Sequence, residues 1–265
     1  MKKILTTLLT LCLLLCSSAA LAAGDTDISN GTVSATGYGV CPEGNYRPMQ
    51  ARILARKAAI ADAQRLLAEA VYGVNIDAAT TVQNAVVTND SISTHVSGLI
   101  KNSTVTAENC APDGTYEITL SMPVYGLNSL AQTLFQYNAA PEPFPAPTET
   151  DGGATLTEGC YTGVIIDCSG LGLETAMSPV ILNEQGEKLY GYQNLDYRRV
   201  IKQGMAAYAQ DSITARRAGS NPLRLRAVSV EGRVNPVLSA ADANRMLEEN
   251  RLTHFLDYCN VVFVR

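Results

Sequence analysis

Met49, Ile53, Ile60, Ala63, Leu67 and Val71 recur at intervals of three, four and seven residues, the spacing that lays apolar side chains along one side of an α-helix. Alanines at 51, 55, 58, 59, 61, 68 and 70 fill the intervening positions with strong helix formers. Pro48 suits a first turn. Gly73 follows the last periodic position, where a left-handed residue commonly closes a helix, and Val74 is placed for the accompanying apolar contact. The pattern predicts one long helix from Pro48 to Gly73. Ahead of it, Thr32 to Tyr38 predicts a short strand, and after it Val74, Ile76, Ala78, Thr80 and Val82 alternate as on another. Ile92, Val96, Leu99 and Ile100 mark a shorter helix capped by Asn89 or Asp90. Strands over 104–109 and 115–122 flank the turn "APDG". In the second of them Tyr116, Ile118, Leu120 and Met122 face one way and Thr115, Glu117, Thr119 and Ser121 the other, the signature of a half-buried antiparallel strand. A helix over 127–137 follows. The first half therefore reads as α+β, with helices packed on one face of an antiparallel sheet.

Alternation then stops at "AAPEPFPAPTETDGGAT". Prolines at 141, 143, 145 and 147 hold this stretch extended and Asp151-Gly152-Gly153 loosens its end. It predicts a linker over 139–157 between one domain at 23–138 and another at 158–265. In the second, "YTGVIID" predicts an apolar strand running into the loop "CSGLG". Strands near 180–182 and 188–190 flank the turn "NEQGE". Tyr197, Val200, Ile201, Met205 and Tyr208 predict a helix, and "LRLRAVSV" alternates as a strand. Ser239 caps a helix through Asn250, and "CNVVFVR" is a final core strand. Strand, helix and strand in that order predict a right-handed crossover and a smaller α/β domain.

The chain opens with Lys2-Lys3, an apolar run from Ile4 to Cys16, and the small-residue exit Ala20-Leu21-Ala22. These are the parts of a secretory signal peptide over 1–22, cut after Ala22, which places the mature chain in the periplasm or outer envelope. Leu11 and Leu15 stand before Cys12 and Cys16, where a small residue precedes a lipid-bearing cysteine, and so argue against a lipid anchor. No later segment approaches the roughly 20 apolar residues of a membrane span. Residues 24–138 carry ten acids against six bases, and 158–265 carry twelve of each. Neither balance offers the basic face that a nucleic-acid partner requires.

Five cysteines follow the leader, which in an exported chain predicts disulfides with one thiol left over. Cys41 and Cys110 are alone in the first half, and their bridge would close a loop of about 70 residues, worth about 4 kcal/mol. Cys259 has two partners open to it, Cys160 or Cys168. With no CxxC pair and two histidines, a zinc or other metal site is not expected.

Several residues invite a chemical reading. Gly37 and Gly39 precede the long helix, but that helix starts nine residues after Gly39. A dinucleotide loop needs it to begin inside the glycine motif, so no cofactor is expected there. Asp167 ends an apolar strand ahead of a glycine loop, where α/β proteins place ligands. Arg224 and Arg226 share the outer side of their strand, and Arg56 interrupts an apolar helix face. These four are the candidate interaction residues, weighed against plain solvation and, for Arg56, against a packed stem whose head reaches a carboxylate. His95 and His254 sit among apolar neighbours as packing or rim residues, and Glu248-Glu249 reads as solvated helix surface. HExxH and GxSxG are absent, so no catalytic residue is assigned.

"ARILARKAAIADAQRLLAEAVYGV", with the later "DGTYEITLSMPVYG", resembles the twenty-kilodalton lipoprotein family of bacterial envelopes, related to the amino-terminal domain of flagellar assembly protein T. The resemblance covers about residues 35 to 125 and rests on the alanine-rich helix, Asp62-Ala63 with Arg65-Leu66, and the Gly73-Val74 exit. "YTGVIIDCSGLGLETAMSPVILNEQGEKLYG" with "RAGSNPLRLRAV" resembles the carboxyl domain that often accompanies it. The resemblance implies a structural or assembly protein of the envelope, flagellum-associated in some relatives, with no catalytic residues to carry over. The expectation is a non-catalytic exported protein that acts through envelope protein partners. The alternative is a periplasmic small-ligand binder using its second domain.

Overall fold

Strands β1 (Asp25–Asp27) and β2 (Thr32–Gly39) lead into helix α1 (Pro48–Tyr72). The computed structural model describes residues 25–27, 31–44, 46–137, 139–147, 158–211 and 215–265. The expected leader, 1–22, and the second part of the expected linker, 148–157, lie outside the described residues.

The predicted buried face of α1 holds over its second half, at Ala63, Leu67 and Val71, and fails toward the start of the helix. Ala55, Ala59, Ala63, Leu67 and Val71 form the buried stripe, whereas Met49 and Ile53 are 69% and 49% exposed. The cause lies in β2. A Cβ on Gly39 would stand 2.0 Å from the Ala55 carbonyl oxygen, and one on Gly37 would stand 2.1 Å from the Ala63 nitrogen. The helix backbone rests directly on the strand backbone, and alanine methyls are what the gap admits. The two glycines therefore serve helix–strand packing. Gly73 also departs from expectation: its φ is −76°, and its N–H returns to the Glu69 carbonyl.

The alternating stretch 74–82 is not a strand. Asp77 Oδ1 accepts the N–H groups of Ala79 and Thr80, both at 2.8 Å, a local turn that outcompetes extension. Helix α2 (Val82–Thr88) follows, capped by the Thr81 side chain, and α3 (Asp90–Lys101) is capped by Asn89, as one of the two expected caps. Strands β3 (Thr104–Cys110) and β4 (Tyr116–Pro123) complete an antiparallel sheet of order β1-β2-β4-β3. Helix α4 (Leu130–Leu134) is shorter than predicted, because Ser129 caps it and Asn128 before it has φ 52°.

The second half has two sheets. Strands β5 (Gly163–Asp167), β8 (Ala207–Ala209), β9 (Pro222–Arg226) and β12 (Val261–Val264) are all parallel, in the order β8-β12-β5-β9. Strands β6 (Ile181–Asn183), β7 (Lys188–Tyr190), β10 (Ser229–Glu231) and β11 (Asn235–Leu238) form a mixed sheet of order β10-β11-β6-β7. Helix α5 (Tyr197–Gln203) ends before Tyr208, which belongs to β8. Ser239 caps α6 (Ala240–Thr253) as expected. Within α6, Glu249 is only 1% exposed and so is no solvated surface acid. Its carboxylate accepts the Glu158 N–H at 2.7 Å and the Gly159 N–H at 2.9 Å, fixing the chain just ahead of β5.

Both halves share one apolar core, which runs from Val33 and Leu67 to Ile166 and Phe263. Backbone bonds join them: Met177 N–H to the Asn75 carbonyl at 3.0 Å and Ser178 N–H to the Ile76 carbonyl at 2.7 Å. The Asn75 side chain adds a bond to the Thr175 carbonyl at 3.1 Å. Residues 139–147 are not a free tether either. Phe144 stacks on Tyr190 with 6.2 Å between ring centres, and the Glu142 N–H donates to the Gln193 carbonyl at 2.7 Å.

Candidate functional site

The parallel sheet has two unequal faces. Val164, Ile166, Leu223, Leu225, Val261 and Phe263 point into the shared core. On the other side Ile165, Val262 and Val264 form a small buried cluster with Ala215 and Ala218, against which Ala207 and Ala209 pack. Parallel sheets are ordinarily covered by helices on both faces. Here, among the described residues, the single turn of 3-10 helix at Arg216–Ala218 is what rests on that second face.

At the carboxyl end of the strands this face opens into a hollow of about 490 Å³, lined by Asp167, Ser169, Gln210, Asp211, Arg224 and Arg226 over Ile165 and Val264. Register brings the charges together: Ile165 stands beside Arg224, and Asp167 beside Arg226. Residues two apart on a strand are about 7 Å apart on one face, so both guanidinium groups reach over the same floor. Ser169 donates from its hydroxyl and its N–H, the latter at 2.9 Å, and Arg226 adds its positive charge. Together they hold the Asp167 carboxyl below its ordinary range. Asp167 is thus an anion at neutral pH. The arrangement can grip a carboxylate or similar anion through the arginines while Asp167 faces a cationic group of the same molecule.

Three of the four expected interaction residues, Asp167, Arg224 and Arg226, therefore converge. The fourth does not join them. Arg56 forms a two-pronged pair with Glu108 of β3, at 2.8 and 2.9 Å, so its stem-and-head reading describes it better than a docking role. Sequence reasoning missed Gln210 and Asp211, because Tyr208 was placed in a helix and nothing marked a strand ending at Ala209.

Among the described residues the five cysteines are thiols, and no disulfide is seen. Cys41 Sγ donates to the Gly114 carbonyl at 3.2 Å. Cys110 lies on β3, with β4 between it and β2. Cys41 lies beyond the end of β2, beside Gly114 of the turn that follows Cys110, and the expected bridge between the two is not formed. Cys168 follows β5 whereas Cys259 precedes β12, and Asp167 pairs with Val264. The two sulfurs thus belong to opposite ends of the sheet, which excludes that pairing. Cys160 is exposed and its sulfur meets the Asn221 amide at 3.3 Å. Burial pushes the Cys168 thiol up to about 12, with the Asp167 charge adding to it, and the Cys259 thiol up to about 11.

The folded chain thus holds both thiol protons more tightly than the unfolded one, whose thiols titrate near 8.5. Their burial favours folding below that pH and the contribution fades as pH rises toward the folded values. Thiol titration with Ellman's reagent at about pH 8 is expected to label Cys110 and Cys160 rapidly, and Cys168 and Cys259 only after denaturation. Rapid labelling of Cys168 in the native protein would contradict its placement.

Neither histidine faces a nucleophile across this hollow. His254 closes α6 with φ 57° and lies 3.5 Å from Asp257, at the opposite end of the sheet from Cys168. His95 belongs to α3 and lines a separate cleft. Among the described residues no group of three or more His, Cys, Asp or Glu could hold a metal ion, and no helix is long and apolar enough to cross a membrane.

Residues 163–265 match the family described as the second domain of Treponema pallidum Tp0624. The matched span opens on the first residue of β5 and takes in both sheets and the hollow, which supports a second domain beginning at that strand. No curated protein matches the chain.

Proposed function

We propose that this chain is a non-catalytic exported protein of the bacterial cell envelope, periplasmic or outer-envelope, that works by binding another envelope protein. The single observation that carries the reading is the convergence of Arg224, Arg226 and Asp167 on one hollow at the carboxyl end of the parallel sheet. Both arginines are exposed, so the hollow meets a partner's surface more readily than it encloses a molecule. A carboxylate on that partner, from an acidic side chain or a chain terminus, is the group the arginine pair fits. The expected leader at 1–22 and the resemblance of the first half to envelope lipoproteins support this compartment and a structural or assembly role.

The test is crosslinking in envelope extracts of the source bacterium with wild type and with the Arg224→Ala/Arg226→Ala pair. Wild type is expected to capture a defined protein, and the double variant to capture it at least about tenfold less, a loss of about 1.4 kcal/mol. Equal capture by both would overturn the assignment. The opposite charges of Asp167 and Arg226 on adjacent strands favour one second reading, a small zwitterionic ligand such as an amino acid. A melting shift with free amino acids that disappears in Asp167→Ala would select it.

A further inference from the structure

We infer that the first half carries a separate binding site, for an uncharged, hydroxyl-rich ligand of the saccharide class, in the cleft between α3 and the start of α4. This cleft measures about 620 Å³, within the range of small-molecule sites, and among the described residues no Asp, Glu, Lys or Arg lines it. A lining without formal charge selects against ions and for neutral polar molecules.

Three of its side chains are pre-set in the same way. Each commits one polar atom to nearby backbone and keeps the other. His95 Nδ1 bonds the Ser91 carbonyl at 2.7 Å, and since a carbonyl only accepts, Nδ1 carries a proton and Nε2 is the ring nitrogen left to meet a ligand. Asn102 donates from Nδ2 to the Gly98 carbonyl at 2.9 Å, which leaves Oδ1 to accept. Gln132 Oε1 accepts the Asn128 N–H at 2.9 Å, which leaves Nε2 to donate. A fixed acceptor, a fixed donor and a ring nitrogen suit hydroxyl groups, which both donate and accept. Half-buried Ile92 and Leu99 offer apolar surface to the C–H faces of a sugar ring.

Gly98 is the independent sign. Glycine inside a helix is destabilising relative to alanine, and a Cβ here would meet nothing within 4 Å. Among the described residues no atom requires the glycine, yet it leaves helix backbone bare on the cleft lining. A ligand that approaches that backbone accounts for it.

The experiment is an NMR titration of the full ¹⁵N-labelled chain with chitotetraose, cellotetraose and maltotetraose. At least one is expected to shift the signals of His95, Gly98 and the Gln132 side-chain amide saturably. Gly98→Leu, which fills the lining, is expected to keep or raise the melting temperature while weakening binding at least tenfold. Gln132→Ala, an exposed change, should weaken it severalfold. Arg224→Ala/Arg226→Ala should leave it unchanged, which separates this site from the second-half hollow. The inference is overturned if none of the three sugars moves those signals at millimolar concentration. It is equally overturned if Gly98→Leu and Gln132→Ala bind as wild type does, or if phosphate or glycine shifts the same signals where the sugars do not.

Discussion

Gly39→Ala is expected to destabilise the protein by about 3 kcal/mol, lowering its melting temperature by roughly 6–12 °C. The added methyl would lie 2.0 Å from the Ala55 carbonyl oxygen and 2.5 Å from the Ala59 nitrogen. Both are backbone atoms of α1, so no rotamer change relieves the clash. The helix must lift from β2 or the strand must bend, and either move opens the stripe of Ala55, Ala59 and Ala63 to voids. Gly37→Ala meets the same obstacle at 2.1 Å from the Ala63 nitrogen and should behave alike. Gly98→Ala is the internal control: it sits in a helix with open space around its Cβ and should stabilise by about 0.5–1 kcal/mol. Urea unfolding of the three variants checks the ordering. A wild-type midpoint for Gly39→Ala would show that α1 does not rest on the strand.

Glu249→Ala should cost a similar amount, about 2–4 kcal/mol. The substitution removes one buried carboxylate and leaves two backbone donors, at Glu158 and Gly159, without their acceptor. Glu249→Gln keeps one carbonyl oxygen and should recover about half of the loss. Hydrogen exchange offers a local readout, since the amides of Glu158 and Gly159 should become fast in both variants before the rest of the domain changes. Unchanged protection at those two amides would contradict the clamp.

Regular local chemistry was legible in the sequence. Pro48 marks the start of α1, Ser239 caps α6, and the alternation around Ile118 and Leu120 places β4 with one face buried. Legibility failed where a distant segment decides the outcome. The predicted face of α1 holds at Ala63, Leu67 and Val71, but toward the helix start the approach that glycines in β2 permit buries Ala55 and Ala59 in place of Met49 and Ile53. Sequence spacing alone gave Glu249 to solvent, because its two donors lie about ninety positions earlier. The alternation at 74–82 was misread because Asp77 folds the stretch back and its other partners lie at 175–178. The hollow was half legible. Strand parity and a strand end identify Asp167, Arg224 and Arg226, whereas Gln210 and Asp211 depend on a three-residue strand too short to announce itself.

The bonds from Asn75 and Ile76 to 175–178 bear on kinetics. With the lobes aligned at folding, an arriving molecule meets recesses of settled shape and waits for no closure. Observed encounter rates should then climb in direct proportion to concentration, without the plateau that a slow isomerisation imposes. Mutual orientation of the lobes is settled once, during folding, and is not repeated at each encounter.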